Sequence, residues 1–250
     1  MEVTSSMRRA DRIRAGARNK IQEASKKRNA SSRRGKSLSP THWHGKMKGV
    51  PCFLMGNSPS LGKIDNLPIL DEFFSIGINR IFFKYDPTIL IWQDLALWSQ
   101  ERDKVISTKA IKYCREGAET QGGFYAFMLN GREPKMTNDV SKLYGRGSSG
   151  TIAYQFAHVL GCDPIILLGM DCRYSKNGNT DFYGKNSMHR AHTLPACRKG
   201  LEFINNNSKD RTIINCSKSK VFSDRKTIEE AISMLGEKRY SREELVNMLK

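Results

Sequence analysis

Four short apolar runs constrain this chain more than any other feature: Cys52 to Met55, Phe73 to Ile78, Thr88 to Trp92 and Ile165 to Leu168. Each is too short for a buried helix and lacks the polar alternation of a strand with one wet face. Such runs suit strands covered on both sides, as in a parallel sheet flanked by crossover helices. The helical patterns between them agree. Ile152, Phe156, Val159 and Leu160 share one face between Ser149 and Gly161, and Leu194 to Asn205 is predicted as a further helix ahead of a last strand at Thr212 to Cys216. The expected fold is α/β, an open, mostly parallel Rossmann-like sheet with helices on both faces, a lid segment and a helical C-terminal appendage.

The appendage, residues 221–250, is predicted from two capping boxes, Thr227-x-x-Glu230 and Ser241-x-x-Glu244. The nucleotide-binding domain is expected over 49–220, with its lid at about 172–193. Residues 1–48 differ in kind. They hold 14 Lys and Arg against three acids, a net +11, whereas the whole 250-residue chain carries a formal +17, leaving +6 for the rest. Met7, Ala10, Ile13, Ala17 and Ile21 recur at helical spacing among these basic residues, so the arm is expected to be partly helical or disordered, joined to the domain by the polar stretch 29–40. Concentrated positive charge suits DNA or RNA contact, because each neutralised phosphate releases counterions.

No run reaches the roughly 18 apolar residues that would cross a bilayer, and no signal peptide is evident. The expected setting is the cytoplasm of a bacterial or bacteriophage-infected cell. Six cysteines, Cys52, Cys114, Cys162, Cys172, Cys197 and Cys216, stand singly with no CxxC pair, and are expected to be reduced thiols and not zinc ligands.

In a doubly wound sheet the ligand sits at the carboxyl ends of the strands. The residues found there are small and polar. The first strand runs into Gly56-Asn57-Ser58-Pro59-Ser60, the second into Asn79, the third into Gln93-Asp94, and the strand at Ile165 into Gly169-Met170-Asp171. Small residues let backbone amides approach phosphate oxygens. Neither the GxGxxG fingerprint nor a GxxxxGK[ST] loop is present, which argues against an NAD enzyme and a Walker-type NTPase. A second cluster, Gly145-Arg146-Gly147-Ser148-Ser149-Gly150, opens a helix and offers an anion site of amides, hydroxyls and a guanidinium. After Asp171 comes a long polar stretch with Tyr174, Tyr183, His189 and His192, suited to a lid over an active site. One of the two histidines is expected to transfer a proton.

Taken in order, these residues resemble the bacterial sialyltransferases that elongate lipooligosaccharides with a CMP-activated sugar. That family's Gly-Asn-Gly-Pro-Ser-Leu loop is similar to Gly56 to Leu61, differing at Ser58. Its Arg-x-Thr-Ser-Gly resembles Arg146 to Gly150, and its Ser-Gly-Ile-Asp-Phe-Tyr resembles Leu168 to Tyr174 with one residue inserted. Its catalytic histidine lies nine residues before an Ala-Leu-Glu-Phe-Leu helix, which here corresponds to His192 ahead of Leu201-Glu202-Phe203-Ile204. The Gly-Asn-x-Pro-Ser loop and Ser-Gly helix are also similar to those of archaeal 6-hydroxymethylpterin diphosphokinase-like proteins.

The resemblance implies a glycosyltransferase with a nucleotide-sugar co-substrate, CMP-sugar first among the choices. It implies His192 as general base or acid, and a nucleotide site drawn from Gly56, Asn57, Ser58, Ser60, Asn79, Asp94, Arg146, Ser148, Ser149, Gly150, Asp171, Tyr174, Tyr183 and His189, with His189 in place of a lid tyrosine near the donor phosphate. Asp94 stands where that family has Asn, and the basic arm is no part of the family pattern, so the acceptor is open between a glycan and a nucleic acid. Two alternatives remain: a diphosphokinase-like transferase whose Asp94 or Asp171 holds Mg²⁺, and a nucleic-acid-binding protein without enzymatic activity.

Overall fold

The computed structural model describes residues 36–145, 148–186 and 193–250. The expected helix of the basic arm, Arg146, His189 and His192 lie outside the described residues. Contacts divide the chain into two units, Met1–Lys36 with Thr120–Gly123, and Ser37–Glu119 with Phe124–Lys250. The fold below is that of the second unit.

Eight strands form one sheet: β1 (Cys52–Met55), β2 (Phe74–Ile78), β3 (Ile89–Trp92), β4 (Ile111–Arg115), β5 (Tyr125–Asn130), β6 (Lys142–Tyr144), β7 (Ile165–Leu168) and β8 (Ile213–Asn215). Their spatial order is β6-β5-β4-β3-β2-β1-β7-β8, and every neighbouring pair is parallel. Successive side chains of the central strands divide between two cores, as the pleat requires. Cys52 and Leu54 enter one and Phe53 and Met55 the other; Ile89 and Ile91 oppose Leu90 and Trp92, and Ile165 and Leu167 oppose Ile166 and Leu168. Both faces are dry, so the apolar runs are unbroken.

Five α-helices among the described residues cover the sheet. On one face lie α1 (Leu95–Ser107), through Leu97, Trp98 and Val105, and α4 (Ile228–Ser233), through Ile228 and Ala231. On the other lie α2 (Ser149–Leu160), α3 (Thr193–Asn207) and α5 (Arg242–Leu249), through Phe156, Leu160, Leu201, Ile204, Leu245 and Leu249. Both C-terminal helices start on complete capping boxes, at Thr227 and Ser241. Arg242 extends from α5 to the sheet, donating to the carbonyls of Asp86 and Pro87 at 2.9 and 2.6 Å.

The core reaches further toward the N-terminus than the expected boundary at residue 49. Trp43 is 1% exposed and Met47 is fully buried. The Trp43 ring lies 4.2 Å from that of Tyr125 and 5.8 Å from those of Tyr113 and Phe156, so this residue belongs to the α2 face of the sheet. The apolar pattern that reveals strands says little about a lone aromatic in a polar, basic context.

Candidate functional site

The sheet reverses its winding at β1, which has β2 on one side and β7 on the other. At such a point the loops leaving the two strands diverge and open a crevice. Here the loops after β1 and β7 first run together. Gly56 N donates to Leu168 O at 2.8 Å and Ser58 N to Gly169 O at 2.9 Å. A Cβ on residue 56 would stand 2.3 Å from Gly169 O, and Gly169 itself has φ +58, so both loops need glycine where they touch.

Asp171 locks this junction from behind. Its Oδ1 accepts from Ser60 Oγ at 2.6 Å and from Lys218 N at 2.8 Å, its Oδ2 accepts from Ser60 N at 3.1 Å, and its own N–H donates to Ser58 Oγ at 2.9 Å. One buried carboxylate thus ties together the segments after β1, β7 and β8. Ser60 and Asp171, expected as ligand contacts, are engaged with each other and stand outside the cavity lining.

In front of the junction is a cavity of about 450 Å³. The strand ends contribute to it in spatial order: Gly169 and Met170 after β7, Gly56 to Ser58 after β1, Ile78 and Asn79 at β2, Gln93 and Asp94 after β3, and Arg115 at the end of β4. Asn57 donates its amide N–H to Ile78 O at 2.8 Å, which sets the amide's orientation and leaves Oδ1 buried without a partner. Asn79 is held at φ +51, in the left-handed region that asparagine tolerates better than most side chains, and its Oδ1 is likewise buried and unpartnered among the described residues. Buried acceptors of this kind are rare because each forfeits its hydration. Two in one cavity make a site that wants N–H or O–H donors.

The N-terminus of α2 forms the next wall with Ser148, Ser149 and Gly150. Ser148 caps the helix, its Oγ accepting from Thr151 N at 3.3 Å and from Thr151 Oγ1 at 2.8 Å, while Gln93 donates to Ser149 Oγ at 2.9 Å. The first amides of a helix and its dipole favour an anion at this wall. Arg115 adds a guanidinium whose Nε has no partner among the described residues. The lining is completed by Cys172, Thr180, Asp181 and Asn186 from the segment after β7, with Thr193, Leu194, Cys197 and Leu201 from α3.

Of the expected site residues, the structure therefore brings Gly56, Asn57, Ser58, Asn79, Asp94, Ser148, Ser149 and Gly150 to one cavity. Tyr174 is 57% exposed and is not part of the cavity lining. Tyr183 packs beside Phe83 and Phe182, with the Arg80 guanidinium 5.8 Å from its ring, and accepts from Asn186 Nδ2 at 3.1 Å. Burial first and Asp181 second push its hydroxyl up to about 12, so it stays protonated at neutral pH. Arg115 and Asp181 went unrecognised because the first ends a half-exposed strand and the second sits in an irregular segment without an apolar marker. Among the described residues no group of three or more His, Cys, Asp or Glu side chains is placed to hold a metal ion. Among them also, no helix is long and apolar enough to cross a membrane.

No family model and no curated protein matches the chain. Solved structures do. The sialyltransferase CstII from Campylobacter jejuni with cytidine-5'-monophosphate aligns at 13% identity and a TM-score of 0.41, covering 67% of this chain and 80% of that one. The same enzyme with CMP-3FNeuAc aligns at 15% and 0.40, over 66% and 81%. With a trisaccharide acceptor and CMP it aligns at 15% and 0.39, over 66% and 80%.

Proposed function

We propose that the cavity binds a nucleotide-activated sugar and that the chain transfers its glycosyl group to an acceptor hydroxyl. The two partnerless amide oxygens of Asn57 and Asn79, beside the N-terminus of α2, carry this reading. A nucleotide supplies what both features lack: ribose hydroxyls and an exocyclic base amine to donate to the amides, and phosphate for the helix amides. Cytosine has such an amine, which with the sialyltransferase-like motifs favours a CMP-sugar. His192, outside the described residues, is the proposed general base toward the acceptor or acid toward the leaving phosphate. Arg146 and His189 are proposed neighbours of that phosphate, and the segment from Cys172 onward a lid. Glycan and nucleic-acid acceptors both remain compatible with the basic arm.

Thermal shift with CMP, UDP, GDP and ATP, each with and without Mg²⁺, tests the nucleotide. A metal-independent rise in Tm with CMP is expected. Stabilisation by Mg-ATP alone would favour the diphosphokinase-like chemistry, and no shift with any nucleotide would sink the nucleotide reading. For the histidine, His192→Ala is expected to lower turnover by roughly 10² to 10⁴ while CMP binding persists. An unchanged rate would remove it from the chemistry.

A further inference from the structure

Arg80 is the only buried cation among the described residues, at 6% exposure. It follows Asn79 in the 3-10 turn that leaves β2. Asn79 lines the cavity, whereas Arg80 stands outside the lining and binds α1. Its Nε donates to Glu101 Oε1 at 3.1 Å and its Nη2 donates to Gln100 Oε1. Glu101 Oε2 in turn accepts from Lys104 Nζ at 3.1 Å, so both carboxylate oxygens are engaged. The helical dihedrals of α1 are interrupted at Glu101, where φ is −129 and ψ is 21.

The other neighbour of the guanidinium is Tyr183, whose ring centroid lies 5.8 Å away. That ring meets Phe83 at 5.6 Å and Phe182 at 5.0 Å, both edge to face. The Tyr183 hydroxyl accepts from Asn186 Nδ2 at 3.1 Å. Residues 180–186 are folded onto themselves and onto the loop after β1. Asp181 and Gly184 exchange backbone bonds of 3.1 Å, Asn186 N donates to Thr180 Oγ1 at 3.1 Å, and Phe182 N donates to Asn57 O at 2.8 Å. Thr180, Asp181 and Asn186 line the cavity; Phe182 and Tyr183 do not. A chain of contacts thus runs from α1 through Arg80 and Tyr183 to Asn186 in the cavity wall.

A buried ion pair contributes little net stability, because desolvation offsets most of the Coulomb attraction. A guanidinium offers something else: bonded at its edge, it still presents a flat face to an aromatic ring, which an ammonium cannot do. We propose that Arg80 is a positioning residue for the cavity: anchored on Glu101 and Gln100, it fixes the Tyr183 ring and, through the Tyr183 hydroxyl, the Asn186 side chain. Tyr183 then acts on the wall and not on the ligand, in contrast to the nucleotide contact expected of it. The inference rests on the CMP reading of the cavity for its affinity measurements alone.

The test compares Arg80→Met, Arg80→Lys and Tyr183→Phe in the full-length protein. Stability is read by urea denaturation, CMP affinity by isothermal titration, and the segment itself by hydrogen exchange of the ligand-free protein. Arg80→Met leaves Glu101 without its partner and should lose both stability and affinity. Arg80→Lys keeps a charge for Glu101 but no fork; most of the stability should return while CMP binding stays about tenfold weaker than in the unaltered protein. Tyr183→Phe should weaken CMP by a similar factor. The double variant Arg80→Lys, Tyr183→Phe should bind no more weakly than the weaker single variant, since both cut the same chain of contacts. In the ligand-free protein, Arg80→Lys should speed exchange in peptides covering 180–186 by about tenfold or more, with β1, β2 and β7 unchanged. Stability and affinity returning together in Arg80→Lys, additive losses in the double variant, or exchange that is unaltered at 180–186 or raised equally through the sheet would overturn the proposal. If Arg80→Lys fails to fold, Tyr183→Phe decides by the same exchange measurement: faster exchange confined to 180–186 supports the proposal and unaltered exchange overturns it. Failure of the unaltered protein to bind CMP would sink the nucleotide reading instead, and the exchange measurement would then decide the role of Arg80 by itself.

Discussion

At the level of single residues, the site separates groups that face the cavity from groups that hold its frame. Asn57 does both, through one amide nitrogen on Ile78 O and one buried oxygen without a partner among the described residues. Asn57→Ala is expected to weaken CMP binding by about 10- to 100-fold, the effect of about 1–3 kcal/mol from one lost buried acceptor, read by isothermal titration. Asp171 acts on the frame alone. Asp171→Ala strips the acceptor from Ser60 Oγ, Ser60 N and Lys218 N, and is expected to cost about 2–4 kcal/mol of folding stability in urea denaturation. The residues legible in advance were those announced by the end of an apolar run, Asn57 and Asn79, or by a small-residue cluster that opens a helix, Ser148 and Ser149; all four line the cavity. Asp171 occupies an equally announced position, yet a carboxylate can satisfy itself on backbone amides behind a loop, and residue type alone does not tell the two uses apart.

At the level of elements, the seam between α2 and α3 shapes the cavity. Gly200 permits the approach of α3 to Ser148 and Thr151, and Ser148 caps α2 at the same spot. Gly200→Ala places a Cβ 2.0 Å from Thr151 Oγ1 and 2.7 Å from Ser148 Oγ. The helices must part, with an expected loss of about 1–3 kcal/mol in stability and a loss of CMP affinity larger than the distance from the ligand wall would suggest. Retained affinity would show that the α2 wall does not depend on this contact. Elements differ in how far the sequence betrays them. The central strands β1, β2, β3 and β7 are buried throughout and stand out as apolar runs. Toward one edge, β4, β5 and β6 carry Lys112, Arg115, Asn130 and Lys142 and are only partly buried. Their mixed composition matches neither a dry strand nor a clean alternation, so they were not recognised. The helix α1 was missed as well; its apolar contacts, Leu97, Trp98 and Val105, are sparse along thirteen residues.

For the molecule as a whole, the chain ahead of β1 is part of the core. Trp43 fills the space between α2 and the β4–β5 side of the sheet, touching Tyr113, Tyr125 and Phe156. Trp43→Ala is expected to destabilise the fold by about 3–5 kcal/mol, measured by chemical denaturation, with the cavity at the opposite end of the strands' course left chemically intact. The parallel order of the sheet has a further consequence for how the molecule comes into being. Ser58 and Asp171 are 113 positions apart in the chain although they share a hydrogen bond. A ribosome still holding β7 has delivered β1 to β6, yet the first strand lacks one of its two neighbours and the crevice has a single side. Contacts that distant close late, after the entropy of the intervening loop has been lost. The cavity between these loops is therefore among the last parts of this protein to exist during its synthesis.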